Sequence, residues 1–301
     1  MEKTLLPTQS ADYREQIITE ICYALGLPRN GAARGLVKPL FWLPASRFGR
    51  IAAKADDETQ RTGIAGGSRA ILPDFSMTTN VYGVENIPCT GPMLLVSNHP
   101  GAYDSIAIMS CVRRTDLKII LSDVPFLRAF KTASQYFIYV GEDTGGRMAA
   151  IRAGIAHLKC GGALMIFAHG EVEPDPELAP GSHESICDWS RSVEIMLRKV
   201  PETQLQVTIA SGILMHKFYD SPLTKIHKAP PKRQKMAEML QICQQMVLPR
   251  SVQATAHISF AKPVRASDIP QGNIMPTVIQ LGQQLLAEHV QRLVAVNRTL
   301  V

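Results

Sequence analysis

The sequence contains no uninterrupted apolar run near the length of about 18 residues that a membrane-spanning helix requires. Its first residues also lack the apolar segment of a secretory signal peptide, so we expect a cytoplasmic protein. The six cysteines form neither a Cys-x-x-Cys pair nor a zinc-like spacing with histidine. This pattern predicts reduced, structural thiols and no metal site.

Three common functional motifs are also missing. The sequence has no P-loop and no Gly-x-Gly-x-x-Gly segment, which argues against a nucleotide-binding role. It has no Gly-x-Ser-x-Gly elbow, which argues against a serine hydrolase or thioesterase. The net charge of +6 suits an anionic partner such as a membrane surface, an acidic carrier or a nucleic acid. Because no nucleic-acid-binding motif accompanies that charge, we expect no nucleic-acid partner.

The composition is that of a globular protein, because 46% of the 301 residues are hydrophobic and 19% are charged. From about residue 77, predicted strands alternate with predicted helices. This alternation predicts an α/β fold with a mixed, mostly parallel sheet flanked by helices. We expect a small N-terminal helical region over residues 1–72 and a main domain over residues 73–301.

Apolar runs and helical periodicity place the elements of the main domain. Residues 252–260 alternate apolar and polar side chains, which predicts a strand at the edge of the sheet. One continuous helix is predicted over residues 182–200. The other strands are predicted over residues 78–84, 93–96, 118–121, 136–140, 163–167 and 204–209. The other helices are predicted over residues 101–113, 145–160, about 235–247 and 277–296, with a helical turn over residues 125–131.

The N-terminal region is predicted to hold an amphipathic helix over residues 12–26 and an interrupted helical stretch over residues 32–56. The interruptions are expected at Pro39 and Pro44, because proline removes a helix hydrogen bond. Between them lies an apolar segment with Trp42, flanked by basic residues. Two interpretations remain open: this segment rests in a bilayer interface, or it packs on the main domain. A flexible joint is expected at residues 63–68.

The most informative stretch is residues 93–104. An apolar run ends abruptly at Asn98-His99, and Pro100 can open a following helix. His99 is therefore expected at the carboxyl end of a strand, where open α/β sheets bind their ligands. Asp104 follows about one helical turn later. A carboxylate bonded to one imidazole nitrogen leaves the other nitrogen free as a base, so His99 and Asp104 are a candidate acid–base dyad.

The pattern Asn98-His99-x4-Asp104 follows a strand and a lead-in at residues 81–88, Val-Tyr-Gly-Val-Glu-Asn-Ile-Pro. Together these resemble the glycerolipid acyltransferase family, which includes bacterial lysophosphatidate and glycerol-3-phosphate acyltransferases. The resemblance implies that residues 73–301 form an acyltransferase domain. It implies transfer of a fatty acyl group from a thioester to the hydroxyl of a (lyso)glycerolipid or related lipid acceptor. His99 and Asp104 would be catalytic, and Asn98 would bind substrate.

The resemblance also defines the expected partners and setting. The acyl donor would be acyl-CoA or acyl carrier protein, acting as a co-substrate, and no resident cofactor is expected. The protein would serve phospholipid biosynthesis, in peripheral contact with the inner face of the cytoplasmic membrane. Five lysine or arginine residues within residues 225–235 would hold donor phosphates or lipid headgroups, or form an ordinary solvated helix start.

The family's later motifs are altered here. Its second motif usually ends in an arginine shortly after Phe-Ile, but Phe137-Ile138 is followed by Tyr-Val-Gly-Glu. Arg147, on the next predicted helix, is the candidate replacement. The strand of the fourth motif corresponds to residues 206–212, without the usual proline.

The third motif usually reads Phe-Pro-Glu-Gly-Thr-Arg, and here residues 167–173 read Phe-Ala-His-Gly-Glu-Val-Glu. The candidate substrate-binding residues in this segment are Phe167, His169, Gly170 and Glu171. In the family, the glutamate and arginine of this motif help to bind a glycerol-phosphate acceptor.

An acidic stretch in this segment puts a phosphate acceptor in doubt. Carboxylates at Glu171, Glu173 and Asp175 would repel a phosphate, which favours a neutral or cationic acceptor or a phosphate held from elsewhere. A solvated acidic loop is the other interpretation of the same residues. A relative that binds acyl lipids without catalysis is the alternative to the enzyme, because the later motifs are altered.

Overall fold

The computed structural model describes residues 7–24, 32–226 and 229–299. An eight-stranded sheet lies at the centre of the described residues, with helices on both faces. The predicted α/β fold with a mixed, mostly parallel sheet is therefore confirmed. The strands are β1 (Thr78–Tyr82), β2 (Met93–Ser97), β3 (Leu117–Ser122), β4 (Phe137–Val140), β5 (Ala163–Phe167), β6 (Gln204–Ser211), β7 (Thr255–Phe260) and β8 (Val264–Arg265).

The helices fall into an N-terminal pair, short helices between strands, and long helices that cover the sheet. In chain order they are α1 (Pro7–Ala24), α2 (Ala32–Ile71), α3 (Asp104–Cys111), α4 (Pro125–Arg128), α5 (Thr144–Lys159), α6 (Ser182–Cys187), α7 (Ser192–Lys199), α8 (His216–Tyr219), α9 (Pro222–Lys225), α10 (Pro230–Val247) and α11 (Ile274–Thr299). None of the described helices is both long enough and apolar enough to cross a membrane.

The strands lie in the order β1-β7-β6-β2-β5-β3-β4, and β8 pairs with β6. The pairs that β6 makes with β7 and β8 are antiparallel, and the other pairs are parallel. The prediction that residues 252–260 form an edge strand is wrong, because β7 lies between β1 and β6. Its polar side chains are instead covered within the protein, and His257, for example, lies within hydrogen-bond distance of Asn80.

The sheet separates two apolar cores, and the alternation of side chains along β2 supplies both. Met93 and Leu95 face the core covered by α2, α3 and α10. Leu94 and Val96 face the core covered by α5, α7 and α11. Because β2 is buried on both faces, its polar carboxyl end opens between two packed layers. This position gives the side chains that follow β2 a rigid support.

Two helix predictions need correction. Residues 182–200 form two helices, α6 and α7, because the segment between them makes contacts outside the helices. Trp189 is buried, and the Ser190 N–H donates to the Ala168 carbonyl just beyond β5, at 2.8 Å. The prolines expected to interrupt the N-terminal stretch lie inside α2. Its irregularity is at Gly63, whose φ of 75° is a left-handed conformation that favours glycine.

The N-terminal helices are tied to the main domain at Asp56, which is 2% exposed. Its carboxylate accepts three backbone N–H groups from residues 131–133, at 2.7–3.0 Å. Other residues of this region face solvent, and Trp42 is 47% exposed. α2 packs on α3 and α10, while the Trp42 segment is partly exposed, so contact of this segment with a bilayer interface stays a prediction.

Candidate active site

Three adjacent strands bring the site together at their carboxyl ends. In the parallel pairs, Ser97 of β2 lies opposite Phe167 of β5 and Thr208 of β6. Two residues further along, His99 therefore comes level with His169 and with the end of β6. Residues far apart in sequence meet here because the three strands are in register.

The predicted dyad is formed. His99 Nδ1 and Asp104 Oδ2 lie 2.7 Å apart, and Asp104 is completely buried. The carboxylate also accepts the N–H groups of Gly101 at 3.1 Å and Ser105 at 2.5 Å. Asp104 is the first residue of α3, where the helix dipole favours a negative charge. The carboxylate is thus fixed by backbone donors before it meets the imidazole.

The environment of the imidazole suits a general base. The ring stacks on Phe167, with 4.1 Å between centroids and an interplanar angle of 18°. The side chain is 26% exposed, and its Nε2 has no partner among the described residues. Burial lowers the pKa of His99, but the carboxylates of Asp104, Glu238 and Glu173 raise it by more. The net pKa is therefore above the ordinary histidine value.

A buried carboxylate that the sequence did not assign to the site holds the backbone of His99. Glu173 Oε2 accepts the His99 N–H at 2.9 Å, and the Glu173 N–H donates to the His99 carbonyl at 2.7 Å. The other oxygen, Oε1, accepts from Ser185 Oγ at 2.8 Å and from Trp189 Nε1 at 3.0 Å. The loop after β5 is therefore joined to the end of β2 through one side chain and one backbone bond.

Two more carboxylates of the same loop bind the end of β6. Asp175, completely buried, accepts N–H groups from Gly212 at 3.1 Å and Ile213 at 2.9 Å. Glu177 accepts from Ser211 Oγ at 2.6 Å. The interpretation of this stretch as a solvated acidic loop is wrong for Glu173 and Asp175, because their carboxylates are buried and bound to backbone.

The other third-motif candidates lie on the open side of this loop. Glu171 is exposed, and Gly170 has a left-handed φ of 85° and an N–H without a partner among the described residues. His169 Nδ1 is buried and also unpartnered in the described structure. Gly170 and Glu171 are thus open to solvent while His169 Nδ1 is covered, and the binding roles of these three residues stay predictions.

The remaining two candidates have other surroundings. Asn98 is 3% exposed, and its amide exchanges two hydrogen bonds with the backbone of Ala210, at 2.9 and 2.8 Å. This geometry makes Asn98 a positioning residue that joins β2 to β6. The structure does not bring Arg147 to His99. Its guanidinium is exposed and donates to the Glu142 carbonyl, and β4 lies three strands from β2, about 14 Å away.

Sequence reasoning missed the contribution of α10. Gln234 donates to the carbonyls of Pro100 at 2.7 Å and Glu173 at 2.9 Å. One face of α10 carries Gln234, Glu238, Gln241 and Gln245, at a helical spacing that could have signalled a buried polar stripe. The basic cluster of residues 225–235 is mostly on the other side, with exposed Lys232 and Lys235, and residues 227–228 lie outside the described part.

Residues 78–186 match the family model described as Acyltransferase. The match begins at β1, ends within α6, and includes both members of the dyad, so the family recognised from the sequence is confirmed over this range. No curated protein matches the sequence significantly.

Among solved structures, this chain resembles the 1-acyl-sn-glycerophosphate (LPA) acyltransferase PlsC from Thermotoga maritima. The TM-score is 0.48 and the identity 13%, over 93% of this chain and 95% of that chain. A likeness this distant does not bear on the substrate of the present protein.

The Asp104 carboxylate is expected to control the protonation of His99. Asp104→Asn removes the nearest negative charge, so the pKa of His99 should fall, and NMR titration of the imidazole measures this change. Asp188→Asn, an exposed substitution, serves as the matched control and should leave the titration of His99 unchanged. An unaltered His99 titration in folded Asp104→Asn protein would contradict the described dyad.

Proposed function

We propose that this protein transfers a fatty acyl group from an acyl thioester to the hydroxyl of a (lyso)glycerolipid or related lipid acceptor. One observation carries the proposal: within an acyltransferase-family segment, His99 is bound through Nδ1 to Asp104 at 2.7 Å and leaves Nε2 unpartnered. A histidine held in this way presents a base to the face of the site where strands β2 and β5 end. The identity of the donor carrier, acyl-CoA or acyl carrier protein, is part of the proposal.

In the proposed reaction, His99 Nε2 takes the proton of the acceptor hydroxyl as its oxygen attacks the thioester carbonyl. A C–O bond forms and the carbonyl becomes a tetrahedral oxyanion. Collapse of this intermediate breaks the C–S bond, and the imidazolium returns its proton to the departing thiolate. Asp104 stabilises the imidazolium throughout and keeps the ring in the required tautomer. No covalent acyl-enzyme is needed, because the acceptor is itself the nucleophile.

The developing oxyanion needs hydrogen-bond donors near His99. The unpartnered N–H of Gly170 is the candidate, because it lies on the segment that follows Phe167, and Phe167 stacks on the imidazole. Gly170 is free of close neighbours: a Cβ placed there would meet no atom within 4 Å. An acyl group can therefore approach this backbone without a clash.

A groove between α2 and α10 is suited to the phosphates of the acyl donor. Its volume is about 1210 Å³, and five basic side chains line it. Three of these have partners: Arg47 donates to backbone carbonyls of α10, Lys54 pairs with Asp74, and Arg61 pairs with Glu58. The others, Arg50 and Arg250, have no ion pair among the described residues.

The groove is connected to the dyad through packed aromatic rings. Ser76 lines the groove, and its neighbour Phe75 stacks on Tyr103 with 5.7 Å between ring centroids. Tyr103 directly precedes Asp104. Arg50 and Arg250 would hold the phosphates of the donor on the α2 side of these rings, because arginine is well matched to phosphate oxygens.

Peripheral contact with a membrane, at the inner face of the cytoplasmic membrane, is also part of the proposal. The exposed side chains of Leu40, Trp42 and Leu43, which are 75%, 47% and 42% exposed, form an apolar edge on α2. Co-sedimentation with anionic lipid vesicles should be weakened by Trp42→Glu. Equal sedimentation of the variant would remove this segment from the membrane contact.

Loss of His99 tests the proposed reaction. His99→Ala should lower kcat for acyl transfer by about 10²–10⁴-fold, because general-base catalysis typically contributes that much. In the unchanged protein, kcat/KM should rise with pH and level off above the pKa of His99, which is higher than the ordinary value of about 6.5. The neutral imidazole is the reactive form, so activity is lost as the pH falls.

The assay needs purified protein, an acyl thioester donor and a panel of lysolipid acceptors with different headgroups. Failure of the unchanged protein to acylate any of them would favour the non-catalytic lipid-binding alternative. Activity in His99→Ala equal to that of the unchanged protein would contradict the mechanism.

The basic groove between α2 and α10 leads to a separate prediction about binding of the acyl donor. Arg50→Glu combined with Arg250→Glu should raise the KM for acyl-CoA or acyl carrier protein about tenfold or more, with little change in kcat, because the charges bind phosphate away from the reacting atoms. Arg152→Glu combined with Lys159→Glu, two exposed substitutions on α5, makes the same charge change on the other face. The same rise in KM in both proteins would show a general charge effect instead of a donor site.

A further inference from the structure

An arm of residues 216–226, formed by α8 and α9, follows β6 at the edge of the sheet where the dyad lies. Between β6 and this arm, Ile213 packs on the turn of the dyad: a Cβ placed on Gly101 would lie 2.8 Å from one of its methyl groups. Beyond the arm, Gln234 of α10 donates to the Pro100 carbonyl at 2.7 Å. The segments on either side of the arm therefore contact the turn between the two residues of the dyad.

The tip of the arm exposes two large apolar side chains. Leu223 is 61% exposed and Ile226 is 74% exposed. They are three residues apart at α9, so they lie on the same side of the helical turn. Thr224, between them in sequence, is completely buried. Neighbouring apolar side chains that are this exposed are typical of a surface that binds a partner or a bilayer.

Hydrogen bonds hold the arm in place. Thr224 Oγ1 lies within hydrogen-bond distance of three carbonyl oxygens of the arm, at 2.7–3.2 Å. Arg233 of α10 donates to the Tyr219 carbonyl at 2.9 Å and to the Asp220 carboxylate at 2.8 Å, and its guanidinium stacks on the Tyr219 ring. Because these contacts fix the backbone, burial of the apolar tip costs little additional ordering.

Basic side chains surround the apolar tip. Residues 212–237 contain six lysine or arginine residues and one acidic residue, Asp220, which pairs with Arg233. Each lysine near an anionic bilayer strengthens binding about fivefold. Four lysines of this range are exposed and form no ion pair with a described residue: Lys217, Lys225, Lys232 and Lys235.

The combination of apolar tip and basic surroundings fits a lipid surface better than a soluble anion. A soluble phosphate would bind the lysines and leave Leu223 and Ile226 in water. At a bilayer interface, aliphatic side chains enter the boundary of the acyl chains while lysines remain among the headgroups. Side chains that project this far also insert into a bilayer without the complementary pocket that a protein partner would need.

We propose that the arm and the first turns of α10 form a bilayer-binding surface for anionic lipids. Leu223 and Ile226 enter the interface, and the surrounding lysines contact the headgroups. This surface lies on other helices than the Trp42 edge of α2, and it is next to the dyad. It holds the edge of the sheet that carries His99 against the membrane, where a lipid acceptor resides. Delivery of the acceptor rests on the proposed function, whereas bilayer binding by the arm does not.

Co-sedimentation of the full chain with vesicles measures this binding without an acyl donor. The unchanged protein should bind equimolar phosphatidylcholine–phosphatidylglycerol vesicles more tightly than phosphatidylcholine vesicles, and added salt should reduce the difference. Lys225→Glu combined with Lys232→Glu should weaken binding to the anionic vesicles about tenfold or more. Lys159→Glu combined with Lys199→Glu, at exposed positions on the opposite edge of the sheet, is the matched control and should bind like the unchanged protein.

A second pair of variants tests the apolar tip. Leu223→Ser combined with Ile226→Ser keeps every lysine, and it should bind the anionic vesicles about tenfold more weakly or worse, because two aliphatic side chains no longer leave water. Val84→Ser combined with Ile195→Ser, at exposed apolar positions elsewhere, should bind like the unchanged protein.

The two pairs of variants decide the inference together. Binding of both arm variants equal to that of the unchanged protein would overturn it. Weaker binding of the lysine variant alone would also overturn it, and would indicate a soluble anionic partner such as an acidic carrier protein. Because no turnover is measured, the outcome does not depend on whether the protein catalyses acyl transfer. Thermal unfolding of each variant verifies that the protein remains folded.

Discussion

The hydrogen bonds between Glu173 and the backbone of His99 are the constraint on which the site depends. These bonds hold His99 at the end of β2 through a carboxylate of the loop after β5, which is 1% exposed. The same carboxylate binds Trp189 and Ser185, so the position of His99 is linked to the connection between α6 and α7. A histidine held in this way cannot move without breaking several buried hydrogen bonds, each of which is costly to leave unmade.

The loop after β5 carries acidic residues at every second position, and these residues support the site. Glu173 binds the end of β2, and Asp175 and Glu177 bind the end of β6. In the resembled family, the corresponding motif supplies a glutamate and an arginine to a phosphate-bearing acceptor. In this protein the carboxylates of the loop bind the ends of β2 and β6, and His169 occupies the position of that glutamate. The altered motif therefore changes the charges of the loop after β5, while this loop still supports His99 and Asp104.

Local features were predictable from the sequence, and long-range contacts were not. The strand at 93–97, the break at Pro100 and the pairing of His99 with Asp104 all lie within twelve residues, where spacing and residue type decide the structure. The role of Glu173 depends on residues 74 apart in the chain, and the same sequence also fits a solvated loop. The position of β7 inside the sheet was missed because alternating polarity does not show which neighbours cover a strand. The role of Gln234 was missed, since it arises from the carbonyls of Pro100 and Glu173, which are distant in the chain.

We propose that a dyad held by Glu173 carries out acyl transfer, and steady-state kinetics of Glu173→Gln protein test this proposal. Glu173→Gln keeps the size of the side chain but replaces one acceptor oxygen by an N–H₂ group, which meets either the His99 N–H or the Ser185 and Trp189 donors, so the bonds that hold the His99 loop are lost or weakened. For folded Glu173→Gln protein, we expect kcat for acyl transfer to fall about tenfold or more with little change in KM, because small displacements of a catalytic group are costly. A kcat equal to that of the unchanged protein would contradict the proposal.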